Sequence, residues 1–288
     1  SISAEKEIHA LLNILEEKGC ICFIEKKFYD TLKRKTSLEK EYDTFKDFDD
    51  LNSTFEVMFT IGGDGTILRA VTYIRNLNIP ILGINTGRLG FLATIHKDAI
   101  QENIDLIFKG AYTIQERSLL SVKTTPVIED FSELNFALNE VTIARKNTTS
   151  MIGIKTSINF EYLTNYWADG LIIATPTGST GYSLSCNGPV LSPDSKSLII
   201  TPIAPHNLNA RPMVISDEKT IQLSTNSREK DFLISLDSRI TTVPKNTEVF
   251  IEKAPFTIKT IVPNNQSFLQ TLRTKLLWGE DTRNEINL

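Results

Sequence analysis

The sequence has few of the residues that staple small secreted domains or build metal centres. It contains 3 cysteines and 3 histidines among 288 residues. Cys20, Cys22 and Cys186 are too few for a disulfide framework, and no histidine pair completes a zinc site. There is no signal peptide and no apolar run long enough to cross a bilayer. We therefore expect a soluble, cytoplasmic protein without dedicated metal residues.

The chain also lacks an excess of basic residues. Its net charge is −4, and the charged residues are spread along the whole length. Broad electrostatic capture of nucleic acid or of an acidic membrane needs a basic surface, so we expect neither as a partner. With 41% hydrophobic residues, a chain of this length can bury a core in one or two domains.

Several common active-site fingerprints are missing as well. The sequence has no Gly-x-x-x-x-Gly-Lys-Ser/Thr phosphate loop and no Gly-x-Gly-x-x-Gly after a strand. It has neither the Gly-x-Ser-x-Gly turn of serine hydrolases nor a zinc-protease helix. The sequence therefore lacks the signature motifs of the common nucleotide-binding folds.

The first part of the chain alternates helices with apolar strands. The predicted elements are a helix up to residue 19, a strand over 20–24, charged solvated helix and loop to residue 50, a strand over 55–61, a helix after residue 66, a strand over 81–84 and a helix over 100–108. This order predicts a parallel sheet with right-handed crossovers. Because such a domain usually opens on a strand, we expect an initial strand to be missing before residue 1.

From Ala111 onward, short β-branched or alternating runs predominate. The predicted strands are 118–123, 135–144, 152–160, 171–174, 198–203, 213–215, 220–223, 232–235, 248–252 and 257–262. Many short strands separated by turns predict a β-sandwich. After Pro263 a helix is predicted around Phe268, Leu269, Leu272 and Leu276, followed by a polar tail over 281–288.

The predicted fold class is therefore α/β plus all-β. We expect a Rossmann-like parallel-sheet domain over 1–110, a β-sandwich domain over 111–262, and a C-terminal helix and tail over 263–288 that pack back on the first domain.

The most informative stretch is the GGDGT motif at residues 62–66. A buried strand leads into it and an amphipathic helix follows, with Ile67, Ala70, Val71 and Ile74 at helical spacing. In this geometry, free backbone N–H groups at the helix start face an anion, and glycine lets a phosphate approach closely. The alternative is a tight turn in which Asp64 caps the helix. A second glycine-bearing loop, 85–92, follows the next strand, and ligands of such sheets bind at these carboxyl ends.

Two stretches in the second half also have the composition of binding sites. Residues 169–185 place an acidic turn before a buried strand and a loop of hydroxyl residues and glycines after it. Backbone amides, hydroxyls and one aromatic face suit a purine and its ribose; the alternative is a serine-threonine turn with a capped helix. Asn139 and Glu140 interrupt an apolar alternation, and together they can bind the paired hydroxyls of a sugar. The alternative for them is an edge strand with a solvated face.

Together these stretches resemble one family, the NAD kinases. The resemblance covers nearly the whole chain, and the motifs at 62–66, 85–92, 139–140 and 169–185 occur in the order of that family. The first motif alone also resembles lipid kinases and phosphofructokinases, so the specificity lies in the full set. Members transfer the terminal phosphoryl group of ATP, or of polyphosphate in some cases, to the adenosine ribose 2′-hydroxyl of NAD.

The resemblance implies roles for individual residues of the first domain. Asp64 would orient or deprotonate the ribose hydroxyl. Gly63 and Gly65 would bind phosphates through backbone N–H groups. Arg69 would add a positive charge, with a solvent-facing arginine as the alternative. Mg²⁺, or another divalent cation, would accompany ATP and keep mostly water and phosphate oxygens as ligands.

It also implies roles in the second domain. Asn139 and Glu140 would hold the adenosine ribose and part of the adenine. The adenine pocket would be lined by Thr177, Thr180, Gly181, Tyr182 and Ser185. Asp169 would face the far half of the nucleotide or the ligand of a neighbouring subunit, and Ala204 would offer a backbone contact.

Two positions depart from the family pattern. Many members carry Asp-Gly where this chain has Asp237 followed by Ser238, which leaves the role of Asp237 open; Gly181 stands where alanine is common. We expect NAD and ATP as small-molecule substrates, an active site between the domains, and a homodimer or homotetramer. The alternatives are a lipid kinase of the diacylglycerol or sphingosine type and a non-catalytic NAD-binding sensor.

Overall fold

The computed structural model describes residues 4–36, 38, 40–87, 90–147, 150–226 and 229–278. The predicted polar tail over 281–288 lies outside this range. The chain divides into two compact units, which are Ser1–Gln115 with Ile258–Leu288, and Glu116–Thr257.

The first unit has α/β structure, with helices alternating with strands along the chain. Its elements are α1 (Glu5–Glu17), β1 (Phe23–Glu25), α2 (Lys26–Lys35), β2 (Asp43–Phe45), β3 (Met58–Gly62), α3 (Asp64–Ile74), β4 (Ile81–Asn85), β5 (Ile95–His96) and α4 (Ile100–Phe108). β3 pairs with β4 in parallel from Met58 opposite Ile81 to Gly62 opposite Asn85, and β4 also pairs with β5 in parallel. The predicted parallel sheet is confirmed.

The helices of this unit bury the faces that their periodicity predicts. In α3 the side chains of Ile67, Ala70, Val71 and Ile74 are all buried, and α1 buries Ile8 and the leucines that follow it at helical spacing. Apolar residues three and four apart lie on one side of a helix, so burying that stripe fixes which face meets the sheet.

Two strands of this unit, β2 and the two-residue β5, were not predicted. β2 lies inside the charged stretch interpreted as solvated helix and loop, and it pairs with β1 in parallel from Phe23 opposite Asp43 to Glu25 opposite Phe45. Only Phe45 of its three residues is buried. A three-residue strand with one buried side chain has no measurable alternation, which is why the pattern missed it.

An apolar cleft of about 1120 Å³ opens within the first unit. Apolar side chains of α1, β1 and β3 line it, including Leu11, Ile24 and Phe59. Of the residues predicted to bind ligands, Arg69 lines this cleft.

The second unit is built from antiparallel strands, as the sandwich prediction requires. The elements that run through it are β6 (Tyr112–Thr125), β7 (Phe136–Ala137), β8 (Glu140–Arg145), β9 (Ile152–Ile158), β10 (Glu161–Ala168), β11 (Gly170–Ala174), α5 (Tyr182–Ser185), β12 (Ser197–Ile203), β13 (Met213–Ser216), β14 (Ile221–Asn226), β15 (Asp231–Leu236), β16 (Arg239–Pro244) and β17 (Glu248–Pro263). One sheet has the order β13-β12-β11-β8-β15-β16. Another set pairs β10, β9, β14 and β17.

A large apolar core joins the two sets of strands. It contains Val141 and Ile143 of β8, Ile154 of β9 and Ile234 of β15, all fully buried. Alternate residues of a strand point to opposite faces, so each sheet contributes every second side chain to this core.

The strand boundaries differ from the predictions at several places. The run over 135–144 is two strands, β7 and β8, and the two runs over 248–252 and 257–262 are one strand, β17. β10 and β16 were not predicted, because polar and aromatic residues on their exposed faces dilute the apolar alternation. β17 ends in the first unit, where Thr260 pairs in parallel with Ile81, and α6 (Phe268–Leu276) follows it as predicted.

Candidate active site

The GGDGT motif forms the predicted strand-to-helix turn. β3 ends at Gly62, Gly63 is the N-cap residue of α3, and the Thr66 N–H donates to the Gly63 carbonyl oxygen at 2.9 Å. A Cβ built on Gly63 or Gly65 would meet no other atom within 4 Å. The surface of this turn is therefore open at the start of a helix of 11 residues, the geometry that accepts a phosphate.

The Asp64 carboxylate does not cap its own helix. Its Oδ2 accepts from the Phe91 N–H at 2.8 Å, and its Oδ1 accepts from the N–H groups of Leu92 at 3.1 Å and Ala93 at 2.9 Å. The interpretation of Asp64 as a helix cap is therefore wrong, because no side chain caps α3. A carboxylate has about four acceptor positions, so three amide bonds leave about one for another donor.

These bonds join the two glycine loops of the first unit. A Cβ on Gly90 would overlap the Asp64 Oδ1, so only glycine permits this approach. Lys275 of α6 also approaches the second loop, with its Nζ 5.8 Å from the centre of the Phe91 ring. Asp64 thus holds the second glycine-bearing loop, predicted at 85–92, through residues 91 and 92. Residues 88 and 89 of this loop lie outside the described residues.

Arg69 occupies a different side of α3 from Asp64. Five residues separate them, which at about 100° per residue places their side chains roughly 140° apart around the helix axis. Arg69 lines the apolar cleft together with Tyr73.

In the second unit, Asn139 and Glu140 lie where β7 passes into β8. Three consecutive backbone N–H groups here converge on the Asp237 carboxylate: Leu138 on Oδ2 at 3.0 Å, Asn139 on Oδ1 at 2.8 Å and Glu140 on Oδ1 at 3.2 Å. From the other side, the Thr175 hydroxyl donates to the Leu138 carbonyl oxygen at 2.6 Å. The edge-strand interpretation is wrong, because β8 pairs with β11 on one side and β15 on the other.

Two side-chain acceptors at this junction are buried without a partner. Among the described residues, neither Asn139 Oδ1 nor Glu140 Oε2 has a hydrogen-bond partner. Burial, and secondarily the negative charge of Asp237, raises the pKa of Glu140 to about 7, while a hydrogen bond from the Tyr182 N–H opposes that rise. A buried acceptor without a donor costs free energy, so this junction favours a ligand that brings N–H or O–H groups.

The hydroxyl-rich loop lies against the same junction. A short 3₁₀ helix over Thr177–Thr180 leads into α5. A Cβ on Gly178 would overlap the Asn139 carbonyl oxygen, and one on Gly181 would lie 3.0 Å from Glu140 Oε2. The loop thus brings Gly181 and Tyr182, two of the predicted site residues, to Asn139 and Glu140.

The other predicted residues of this loop differ in exposure. Thr177 is buried, Thr180 is partly buried with its hydroxyl on the Thr177 carbonyl oxygen at 3.2 Å, and Tyr182 and Ser185 are exposed. Thr175 and Ser183 were missed by the sequence analysis. Both are buried, and the Ser183 hydroxyl lies 2.8 Å from that of Thr201.

Asp169 and Ala204 lie at the opposite end of the same strands. The Asp169 N–H donates to the Ile203 carbonyl oxygen at 2.9 Å, and its carboxylate pairs with Arg145 Nη2 at 3.0 Å. Ala204 has a φ of 44°, an uncommon conformation for a residue with a Cβ. Because β11 runs from Gly170 to Ala174, where it pairs with Glu140, about 17 Å along the strands separates Asp169 from Glu140.

The described residues contain neither a membrane-spanning helix nor a cluster of metal ligands. No helix there is long and apolar enough to span a bilayer. No group of three or more His, Cys, Asp or Glu residues in the described ranges is arranged to hold a metal ion.

Two family models together match most of the chain. Residues 3–112 match the ATP-NAD kinase N-terminal domain, and residues 138–262 match the ATP-NAD kinase C-terminal domain.

Individual relatives are similar over almost their full length. The chain is 54% identical to the NAD kinase of Flavobacterium johnsoniae over 97% of this chain and 94% of the relative. It is 52% identical to the NAD kinase of Christiangramia forsetii over 98% of this chain and 96% of the relative.

Solved structures agree on the fold. Yeast NADH kinase, complexed with NADH, superposes with a TM-score of 0.86 at 22% identity, covering 98% of this chain and 86% of that one. The NAD kinase of Archaeoglobus fulgidus, in complex with ATP, superposes with a TM-score of 0.68 at 28% identity, covering 88% and 94%.

Proposed function

The chain belongs to the NAD kinase family and has NAD kinase function, and from this premise we propose the reaction and the residues that perform it. The reaction transfers the terminal phosphoryl group of ATP to the 2′-hydroxyl of the adenosine ribose of NAD, giving NADP and releasing ADP. The observation that carries this proposal is the identity of 52–54% to NAD kinases over nearly the full length. The lipid-kinase and sensor alternatives receive no support from the same comparisons.

Asp64 is the proposed group that acts on the reacting hydroxyl. Its carboxylate is held in place by three backbone N–H groups, which leaves about one acceptor position for the 2′-O–H. Phosphoryl transfer depends mainly on positioning and charge neutralisation, so a fixed acceptor that aligns the oxygen serves it well. The same carboxylate receives the proton as the new P–O bond forms.

The open turn before α3 is the proposed phosphate site. Gly63 and Gly65 present backbone without a Cβ, and the free N–H groups at the helix start favour negative charge. For Arg69 the proposal rests on its positive charge alone, since its side chain lies on another face of the helix from Asp64.

The donor is proposed to be ATP carrying Mg²⁺ or another divalent cation. Mg²⁺ retains several waters and takes phosphate oxygens as ligands, so it needs few protein side chains. Bound to the donor, it would neutralise the charge that builds on the transferred group.

Asn139, Glu140 and the loop that follows β11 are the proposed adenosine site. The unpartnered Asn139 Oδ1 and Glu140 Oε2 suit the ribose hydroxyls or the exocyclic amine of adenine. Tyr182 offers an exposed ring for the base. The remaining proposed contacts of the adenine pocket are Thr177, Thr180 and Ser185.

The other end of the same strands is proposed to serve the far half of NAD. Asp169 and Ala204 lie about 17 Å along the strands from Glu140, which is a suitable separation for a dinucleotide. Asp169 offers acceptor oxygens, and Ala204 offers backbone groups. A homodimer or homotetramer and a cytoplasmic location are further proposals that rest on family membership.

The test of this function is an end-point NADP assay. The protein is incubated with NAD, ATP and Mg²⁺, and the product is read with an NADP-specific dehydrogenase. Asp64→Asn is run in parallel, with Asp98→Asn as the matched control, because Asp98 is an exposed aspartate outside the glycine loops. We expect full product from the parent and the control and a loss of at least about 100-fold in Asp64→Asn.

The possible outcomes distinguish the proposed kinase from its alternatives. If the parent protein binds NAD in calorimetry but forms no NADP, the result contradicts the proposed kinase activity and supports the NAD-binding sensor. Neither product nor NAD binding contradicts both. Circular dichroism and a thermal melt of Asp64→Asn show whether lost activity comes with lost structure, since an amide in place of the carboxylate turns one donor toward a backbone N–H.

A further inference from the structure

The junction of β7 and β8 has an unusual backbone arrangement. The N–H groups of Leu138, Asn139 and Glu140 all donate to one carboxylate, that of Asp237, instead of to a neighbouring strand. Asp237 lies in the turn between β15 and β16, about a hundred residues further along the chain. Three amides on one charged acceptor form a strong, directional set of hydrogen bonds.

The carbonyl groups of the same three residues are also bonded. The Thr175 hydroxyl donates to Leu138 O at 2.6 Å, the Thr175 N–H donates to Asn139 O at 2.9 Å, and the Asp237 N–H donates to Glu140 O at 2.9 Å. Every backbone polar group of residues 138–140 is therefore held by Asp237 or Thr175. We call this arrangement the 138–140 clamp.

The clamp holds a carboxylate that is itself costly to bury. Asp237 and Glu140 lie close enough for the charge of Asp237 to raise the pKa of Glu140. The Arg239 guanidinium moderates the charge of Asp237, although its own hydrogen bonds go to the carbonyl oxygens of Leu134 and Phe136. Burying two acids together is unfavourable, so the arrangement needs a compensating role.

We propose that Asp237 is a positioning residue for NAD: it holds the backbone of residues 138–140 so that Asn139 Oδ1 and Glu140 Oε2 point at hydrogen-bond donors of the adenosine. This inference rests on the proposed adenosine site. Asp237 acts through Asn139 and Glu140, and it does not contact the transferred phosphoryl group. Loss of the clamp therefore weakens NAD binding and leaves the chemical step nearly intact once NAD is bound.

The backbone at Asp237 allows matched variants. Its φ is 53°, in the left-handed region that glycine and asparagine also adopt. Asp237→Gly removes both oxygens without backbone strain. Asp237→Asn keeps one oxygen and turns an N–H₂ group toward a backbone donor. Ser238→Gly, at the next and exposed position of the same turn, is the control.

Steady-state kinetics at saturating ATP, with NAD affinity from calorimetry, provide the test. In Asp237→Gly we expect the KM and Kd for NAD to rise about 10- to 100-fold, with kcat within about threefold and the KM for ATP unchanged. For Asp237→Asn we expect a KM and a Kd for NAD between those of Asp237→Gly and the parent. For Ser238→Gly we expect the values of the parent.

A fall in kcat with an unchanged KM for NAD would overturn the proposal, because it would place Asp237 at the phosphoryl group. Unchanged kinetics in a folded Asp237→Gly would overturn it as well. Failure of the proposed function looks different, since the parent protein would then form no NADP.

Thr175 supplies a second pair of variants in case Asp237→Gly does not fold. Thr175→Val removes the hydroxyl that donates to Leu138 O, whereas Thr175→Ser retains it. We expect a raised KM for NAD with Thr175→Val and recovery with Thr175→Ser. Equal KM values for the two variants would contradict the clamp. A higher KM with Thr175→Ser, which a purely steric role of Thr175 predicts, would contradict it as well.

Discussion

The Asp64 carboxylate accepts a hydrogen bond from the Ala93 N–H at 2.9 Å, although 29 residues separate the two along the chain. In the second unit, the Asp237 carboxylate likewise accepts a hydrogen bond from the Asn139 N–H. In both units one aspartate holds three successive backbone amides of a loop. Charge-assisted bonds of this kind fix a loop more firmly than its own turn chemistry does.

Gly90→Ala is expected to destroy the contact between the two glycine loops. A Cβ at this position would overlap Asp64 Oδ1, so either the carboxylate or the loop must move. We expect kcat/KM to fall at least about 100-fold and the free energy of unfolding to fall by about 1–3 kcal/mol. Gly87→Ala is the matched control, because a Cβ there meets no other atom within 4 Å. Equal activities of the two variants, measured by NADP formation, would contradict the role of this contact.

Gly178→Ala and Gly181→Ala should differ sharply. A Cβ on Gly178 overlaps the Asn139 carbonyl oxygen, which is backbone held by the Thr175 N–H and cannot yield. A Cβ on Gly181 lies 3.0 Å from the side-chain oxygen Glu140 Oε2 and 3.2 Å from the Gly178 carbonyl oxygen, so shifts of a few tenths of an ångström relieve both contacts. We expect a rise of at least about tenfold in the KM for NAD for Gly178→Ala and less than about threefold for Gly181→Ala. The reverse order in NAD titrations would refute this account of the junction.

Glu140 should make stability depend on pH. Burial and the charge of Asp237 raise its pKa from 4.5 to about 7, so the folded protein retains a proton that the unfolded chain releases. Its stabilising contribution is therefore complete below pH 4.5 and is lost as the pH rises to about 7. The loss is on the order of 3 kcal/mol.

Urea unfolding at pH 5 and pH 8 measures this effect. Glu140→Gln, which cannot ionise, should lose less stability than the parent over this interval, by roughly the same amount. Parallel pH profiles for the two proteins would show that Glu140 ionises normally in the folded state.

Asp169→Asn separates a ligand-binding role from a structural one. Its ion pair with Arg145 is partly exposed, with side-chain exposures of 26% for Arg145 and 35% for Asp169, so breaking it should cost less than about 1 kcal/mol. If Asp169 binds the far half of NAD, Asp169→Asn raises the KM for NAD about tenfold while the melting temperature barely changes. Arg145→Gln breaks the same pair and serves as the control, with an NAD KM within about threefold of the parent. Equal KM changes in both variants would assign Asp169 to the ion pair.

Much of the fold could be predicted from local pattern. The apolar spacing in α3 located a helix and its buried face, and the order of strand, glycine turn and helix located an open turn at the start of that helix. These features depend on residues a few positions apart, so periodicity and turn chemistry report them directly. The strands that the sequence pattern did not predict, such as β2 and β10, are short or half-exposed, and their stability comes from the neighbouring strands.

By itself, the sequence determined the succession of elements, the faces that they bury, the glycine turn at 62–66 and the family resemblance that those motifs carry. The tertiary structure alone decided that Asp64 binds the second glycine loop instead of capping α3, and that Asp237 and Thr175 hold the backbone beside Asn139. The physical reason is distance along the chain. A hydrogen bond between residues 29 or 98 positions apart depends on how strands pair and pack, and no local propensity encodes that register.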